Sequence, residues 1–133
     1  MSGLTKNCKH QCAYCGIPAT DVEHVIPKSF IQDRMLSTDK DYHKMILVHS
    51  CNECNILASN KVFKNFHEKR RFIREKVKDR YRDLLLAPDW SDKEINELTG
   101  WLKKHTFYWQ KLKLLVERRI ENLSNNTDPE YIQ

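Results

Sequence analysis

Two Cys-x-x-Cys pairs, Cys12 with Cys15 and Cys51 with Cys54, are the residues of this chain best suited to chemistry. The two-residue gap lets both sulfurs of a pair reach one ion from a single turn. Four thiolates then close the tetrahedron that zinc prefers. Between the pairs stands Val22-Glu23-His24-Val25-Ile26-Pro27, and the second pair runs directly into Asn55. A shared zinc would tie the two ends of the segment together and return Asn55 toward Glu23 and His24. The pattern therefore offers one structural metal and one candidate reactive site. Cys8 and His10 offer an alternative ligand set with Cys12. Because the other four cysteines already complete the tetrahedron, the preferred reading leaves Cys8 a free thiol.

The elements that must position these groups follow from pattern. Cys12-Ala-Tyr-Cys15-Gly16 reads as a zinc knuckle, a tight turn ended by Gly16 and Pro18. Val22–Ile26 and Met45–His49 are short β-favouring runs that can pair as a hairpin. Their long connection, Lys28 to Lys44, is expected to hold some helix around Ser29–Met35. From Asn60 the period changes: Val62, Phe66, Ile73, Val77, Tyr81 and Leu84 recur at helical spacing. Pro88 ends that helix. Ser91-Asp92-Lys93-Glu94 is a capping box, and apolar positions from Ile95 to Ile120 predict a second helix to about Leu123. The two helices should pack as an antiparallel hairpin. The expected organisation is α+β: a zinc-bound core over residues 1–60, a two-helix basic and aromatic extension packed on it over 61–123, and a flexible polar tail over 124–133.

Composition narrows the class. The chain has 133 residues, 40% hydrophobic and 31% charged, with a net charge of +5. That length suits one domain, and the positive balance suits an anionic partner. No apolar run approaches the ~20 residues of a membrane span, and Met1 to Gln11 lacks the apolar core of a secretory signal. A cytoplasmic location is expected, where paired cysteines read as metal ligands rather than disulfides.

The first predicted helix is strongly basic. Lys61, Lys64, Arg70, Arg71 and Arg74, together with Lys28, are the expected phosphate contacts, which position a duplex without reading its sequence. From Lys76 to Arg82 a solvated face with i,i+4 ion pairs is the better reading. The second predicted helix carries Trp101, Phe107, Tyr108 and Trp109. These are expected in the core against the first helix; found exposed together, they would point to dimerisation or single-strand binding.

Taken in order, Cys12-Ala-Tyr-Cys15-Gly16, Glu23-His24-Val25-Ile26-Pro27-Lys28-Ser29 and Leu47-Val48-His49-Ser50-Cys51-Asn52-Glu53-Cys54-Asn55 resemble the zinc-containing HNH endonucleases, the small phage and bacterial members above all. The resemblance covers roughly residues 8–66. It implies a ββα-metal unit in which a hairpin and a helix hold a catalytic divalent ion. It implies His24 as the general base that activates water, with Glu23 and Asn55 as ligands of Mg²⁺ or Mn²⁺. Cys12, Cys15, Cys51 and Cys54 would hold the structural Zn²⁺. Glu23 stands where the family usually has aspartate, and Ile46 where it has a second asparagine; His43 is a candidate replacement for that asparagine.

Other roles are open to the same residues. Glu23 can be a solvent-facing strand residue, and Asn55 can cap the following helix. The resemblance implies a nuclease acting on DNA, one nick per active site, with 5′-phosphate and 3′-hydroxyl products. Double-strand cleavage would then need a homodimer or two successive events. The competing expectation is a zinc-containing DNA-binding module with weak or no catalysis, an accessory to a larger assembly such as phage packaging machinery. A third, a purely protein-binding zinc module, is disfavoured by the basic helix.

Overall fold

The computed structural model describes residues 10–25, 47–59 and 61–132. Cys8, Lys28, His43, Ile46 and the connecting helix expected around Ser29–Met35 lie outside them. Among the described residues the fold is mixed α and β, with a two-stranded antiparallel sheet and five helices.

The two strands are β1, Asp21–His24, and β2, Leu47–Ser50. They pair with Glu23 opposite Val48 and His24 opposite Leu47. Because side chains alternate across a strand, Glu23 and Val48 share the buried face, while Val22 and His49 share the other. On that second face the His49 ring stacks on His10, centroids 3.8 Å apart.

Helix α1, Asn52–Ala58, follows β2 at once and packs against β1. It ends before the basic helix, which is a separate element. Ser59 turns the chain with a φ of 54°, and α2, Phe66–Arg80, starts afresh. Asn65 caps it, its Oδ1 accepting from the Glu68 amide at 2.9 Å. That contact satisfies one of the helix's orphan N–H groups. A break at Tyr81 separates α2 from α3, Arg82–Leu86. Helix α3 stops before Pro88 with Ala87 extended, as a residue preceding proline prefers.

The Ser91 capping box forms as read, with both reciprocal hydrogen bonds. It opens only the six-residue α4, Asp92–Glu97. Gly100, at a φ of 59°, redirects the chain into the 24-residue α5, Gly100–Leu123. A positive φ is inexpensive for glycine alone, so the pattern of apolar residues ran on while the backbone turned.

One core runs across residue 60. It joins Tyr14, Val48, Cys51 and Cys54 of the knuckle and hairpin to Phe66, Ile73 and Val77 of α2 and Val116 and Leu123 of α5. The polar tail is tied down in places: the Ile132 amide donates to the Leu47 carbonyl at 2.8 Å, and Asp128 meets His67 at 2.8 Å. No described helix is long and apolar enough to cross a membrane.

The aromatic residues of α5 depart from expectation. Trp101, Phe107, Tyr108 and Trp109 are exposed rather than packed in the core. The apolar face that α5 buries runs instead through Val116 and Leu123, toward its C-terminal end.

Candidate metal centre

Four sulfurs converge as the spacing requires. Cys12 and Cys15 come from a turn closed by the Gly16 amide donating to the Cys12 carbonyl at 2.9 Å and the Cys12 amide to the Ile17 carbonyl at 2.7 Å. Cys51 is the N-cap of α1, and its Sγ accepts from the Cys54 amide at 3.4 Å. All four cysteines are buried, and their Sγ atoms lie within 4.8 Å of one another. Cys15 and Cys51 sulfurs are 3.7 Å apart. A regular tetrahedron with zinc–sulfur bonds of ~2.3 Å has edges of ~3.8 Å, so the donor set fits a zinc ion.

The electrostatics fit as well. Hydrogen bonds from Cys15, Cys51 and Cys54 hold the Cys12 thiol far below the ordinary range. Cys12 pushes Cys15 upward, but donors from Cys51 and Cys54 outweigh it and bring Cys15 down to about 7. Cys51 and Cys54 are pushed up, first by Cys12. Sulfurs this close cannot all be charged unless a cation joins them, and a divalent ion relieves that conflict.

Outside the sulfurs lies a set of charges the motif does not announce. Arg119 of α5 is buried, donates to Cys54 Sγ at 3.9 Å and pairs with Glu53 of α1. Burial works against its charge, but the Cys15 thiolate and Glu53 outweigh it and hold the guanidinium well above its ordinary value. Glu53 also accepts from the Tyr81 hydroxyl at 2.7 Å and pairs with Arg80 at 3.3 Å. Burial raises its pKa, yet the Tyr81 and Arg119 donors leave it below the usual carboxylate value. Asn122 adds a hydrogen bond from Nδ2 to the Cys15 carbonyl at 3.0 Å. Helix α5 thus closes over the sulfurs and spreads their charge.

The residues expected to react lie on β1 and α1. Glu23 is buried under α2, with Lys69 Nζ 3.2 Å from its Oε1, and that oxygen makes no aligned hydrogen bond. Lys69 also donates to the carbonyls of His24, at 3.2 Å, and Val25, at 3.1 Å. The Tyr14 hydroxyl is likewise buried without an aligned partner; burial, and then the Glu23 charge, push its pKa well up. His24 is half-buried, on the opposite face of β1 from Glu23. Asn55 lies inside α1 rather than capping it, Cys51 holding the cap.

Of the expected phosphate contacts, Lys61 and Lys64 are exposed in the link before α2, and Arg71 is exposed on α2. Arg74 pairs with Glu75 at 2.9 Å. Arg70 is buried, donating to His67 Nδ1 at 2.9 Å and lying over the Phe66 ring.

Sequence reading missed Lys69, Glu53 and Arg119, although a signal existed for two of them. Lys69 lies three residues after Phe66 and four before Ile73; Arg119 lies three after Val116 and four before Leu123. Helical periodicity therefore puts both cations on buried faces. A buried cation implies a buried acceptor.

No protein-family model matches the chain, and no curated protein or solved structure matches it.

Proposed function

We propose that the chain is a zinc-stabilised HNH endonuclease that hydrolyses DNA phosphodiester bonds. The observation that carries this reading is the ββα order of hairpin and helix, packed together and bound at both ends by the four-cysteine cluster. It holds the strand bearing Glu23 and His24 against the helix bearing Asn55.

His24 takes the proton of the attacking water, a role to which an imidazole nitrogen is suited. Glu23 and Asn55 supply hard oxygen donors for Mg²⁺ or Mn²⁺, and the buried Oε1 of Glu23, which makes no aligned hydrogen bond beside Lys69, is a donor of the right kind. When bound, that ion neutralises charge on the phosphate and the leaving oxygen. Lys61, Lys64 and Arg71 offer exposed cations for the flanking phosphates.

One observation favours the second reading, a DNA-binding zinc module without catalysis: Lys69 already neutralises Glu23 from within the fold. Supercoiled plasmid separates the two. With zinc-loaded protein and Mg²⁺ or Mn²⁺, the nuclease reading expects nicked circles, lost in His24→Ala. Salt-sensitive DNA binding with no nicking under either ion would establish the second reading instead.

A further inference from the structure

Residues 124–132 hold two carboxylates, Asp128 and Glu130, and no base. The fold lays one of them on a prepared donor. Asp128 Oδ1 lies 2.8 Å from His67 Nε2. On the other side of the ring, His67 Nδ1 accepts from Arg70 at 2.9 Å. A guanidinium only donates, so Nδ1 is the acceptor nitrogen and Nε2 carries the proton that faces Asp128. Arg70 is buried and lies over the Phe66 ring, so it fixes the imidazole from behind. Burial lowers the Arg70 pKa, and the Asp128 charge works against that fall. The result is an oriented N–H donor, backed by a positive charge, with an anion already on it.

Asp128 is kept there by its neighbours more than by its own bond. Its side chain is 88% exposed, and an exposed ion pair contributes little by itself. Three residues on, Tyr131 packs half-buried against the core, and the Ile132 amide donates to the Leu47 carbonyl at 2.8 Å. Such a tether holds the carboxylate beside His67 at a high effective concentration. Leu47 is the strand partner of His24, so the tether ends on the hairpin that carries the proposed base. His49 shares the His24 face of that hairpin, since side chains alternate along each strand. It lines a cavity of about 460 Å³ together with His10, Asp128, Pro129 and Glu130.

The same donor suits a phosphate. A phosphodiester oxygen accepts the N–H bond that a carboxylate oxygen accepts. Arg71, exposed and four residues after His67, shares that side of α2, and the exposed Lys64 precedes it in the link. We propose that His67, backed by Arg70, is a phosphate-contact residue, and that Asp128 occupies its donor until DNA displaces it. The segment is then a built-in competitor that imitates one phosphate of the duplex backbone. Duplex affinity is reduced by the fraction of time the donor is taken. This inference rests on the DNA reading above, in either its catalytic or its non-catalytic form.

Duplex binding by the full, zinc-loaded chain, read by fluorescence anisotropy at about 0.1 M salt, tests the proposal. Asp128→Asn should tighten binding ~2–5-fold, the range an exposed ion pair spans. Glu97→Gln removes an equal exposed charge from α4 and should leave binding nearly unchanged. Tyr131→Ser loosens the tether without altering any charge and should tighten binding in the same direction as Asp128→Asn. His67→Ala should cancel the gain from Asp128→Asn, because the contested donor is gone. If His67→Ala does not fold, the charge-neutral Tyr131→Ser still decides. A gain that survives in the His67→Ala background, or that Glu97→Gln matches, is ordinary charge repulsion and would overturn the proposal. So would duplex binding that neither Asp128→Asn nor Tyr131→Ser alters. Absence of duplex binding by every one of these proteins would overturn the DNA reading itself, and the proposal with it.

Discussion

The two ends of α5 lie in different worlds. Its C-terminal half buries Val116, Arg119 and Leu123 against the knuckle, α1 and α2. Its N-terminal half carries four exposed aromatic rings. One helix thus behaves as core where the sulfur cluster lies under it, and beyond that it meets α3, α4 and the link between them while leaving its rings largely in solvent. The difference teaches that the four-cysteine unit is the packing partner of the helices, not an ornament beside them. Cluster residues sit in the same core as Ile73 and Val77, so residue 60 divides a sequence pattern and not the packing.

Removing the cluster should break that comparison with the largest effect. Cys54→Ser removes one zinc ligand and should abolish stable folding, since structural zinc contributes about 10–16 kcal/mol in small metal-held units. Far-ultraviolet circular dichroism should show helix lost from α2 and α5 together, not from the knuckle region alone. Next comes Lys69→Met, which leaves the Glu23 carboxylate buried without its partner. Breaking a buried pair this way costs about 3–5 kcal/mol, measurable by urea unfolding. Glu23→Gln combined with Lys69→Met should recover part of the loss.

Two smaller perturbations sharpen the zinc-proximal side. Glu53→Gln weakens the bonds to Arg119, Arg80 and Tyr81. Its cost should be about 1.5–3 kcal/mol, the range for hydrogen bonds to a charged group. Because folding lowers the Glu53 pKa, its contribution is complete above the ordinary carboxylate value and is lost as pH falls through the depressed one. The difference between wild type and Glu53→Gln should therefore be present at neutral pH and shrink in acid. Gly16→Ala should cost about 1–2 kcal/mol for its φ of 87° alone. A Cβ there would also stand 2.3 Å from Asn122 Nδ2, so Asn122→Ala should relieve the crowding but not the backbone cost. Smallest of all, Trp101→Ser on the exposed half should change the stability of a single chain by less than ~0.5 kcal/mol.

What the sequence makes legible is local. Cys-x-x-Cys spacing, the two short strands and the Ser91 capping box each depend on a few neighbours, and each is found where expected. The two predicted long helices instead break at Tyr81 and Gly100, because apolar period says which face is buried but not whether the backbone turns. Asn65-Phe-His-Glu68 was a readable start for α2, with the same spacing as Ser91 and Glu94. The aromatic face of α5 was misjudged for a different reason. Hydrophobicity assigns those residues to an interface, and only the three-dimensional packing shows that the rest of this chain does not supply the other side.

The most direct test of the zinc unit as organiser of the fold is a Co²⁺ titration of metal-free protein with two signals read in parallel. Thiolate-to-cobalt absorption reports the four sulfurs, and circular dichroism reports the helices. The account predicts that both rise together and saturate at one equivalent per chain, because Arg119 and the shared core couple α5 to the cluster. Full helix before any metal is added, or a thiolate signal with no gain of helix, would contradict it.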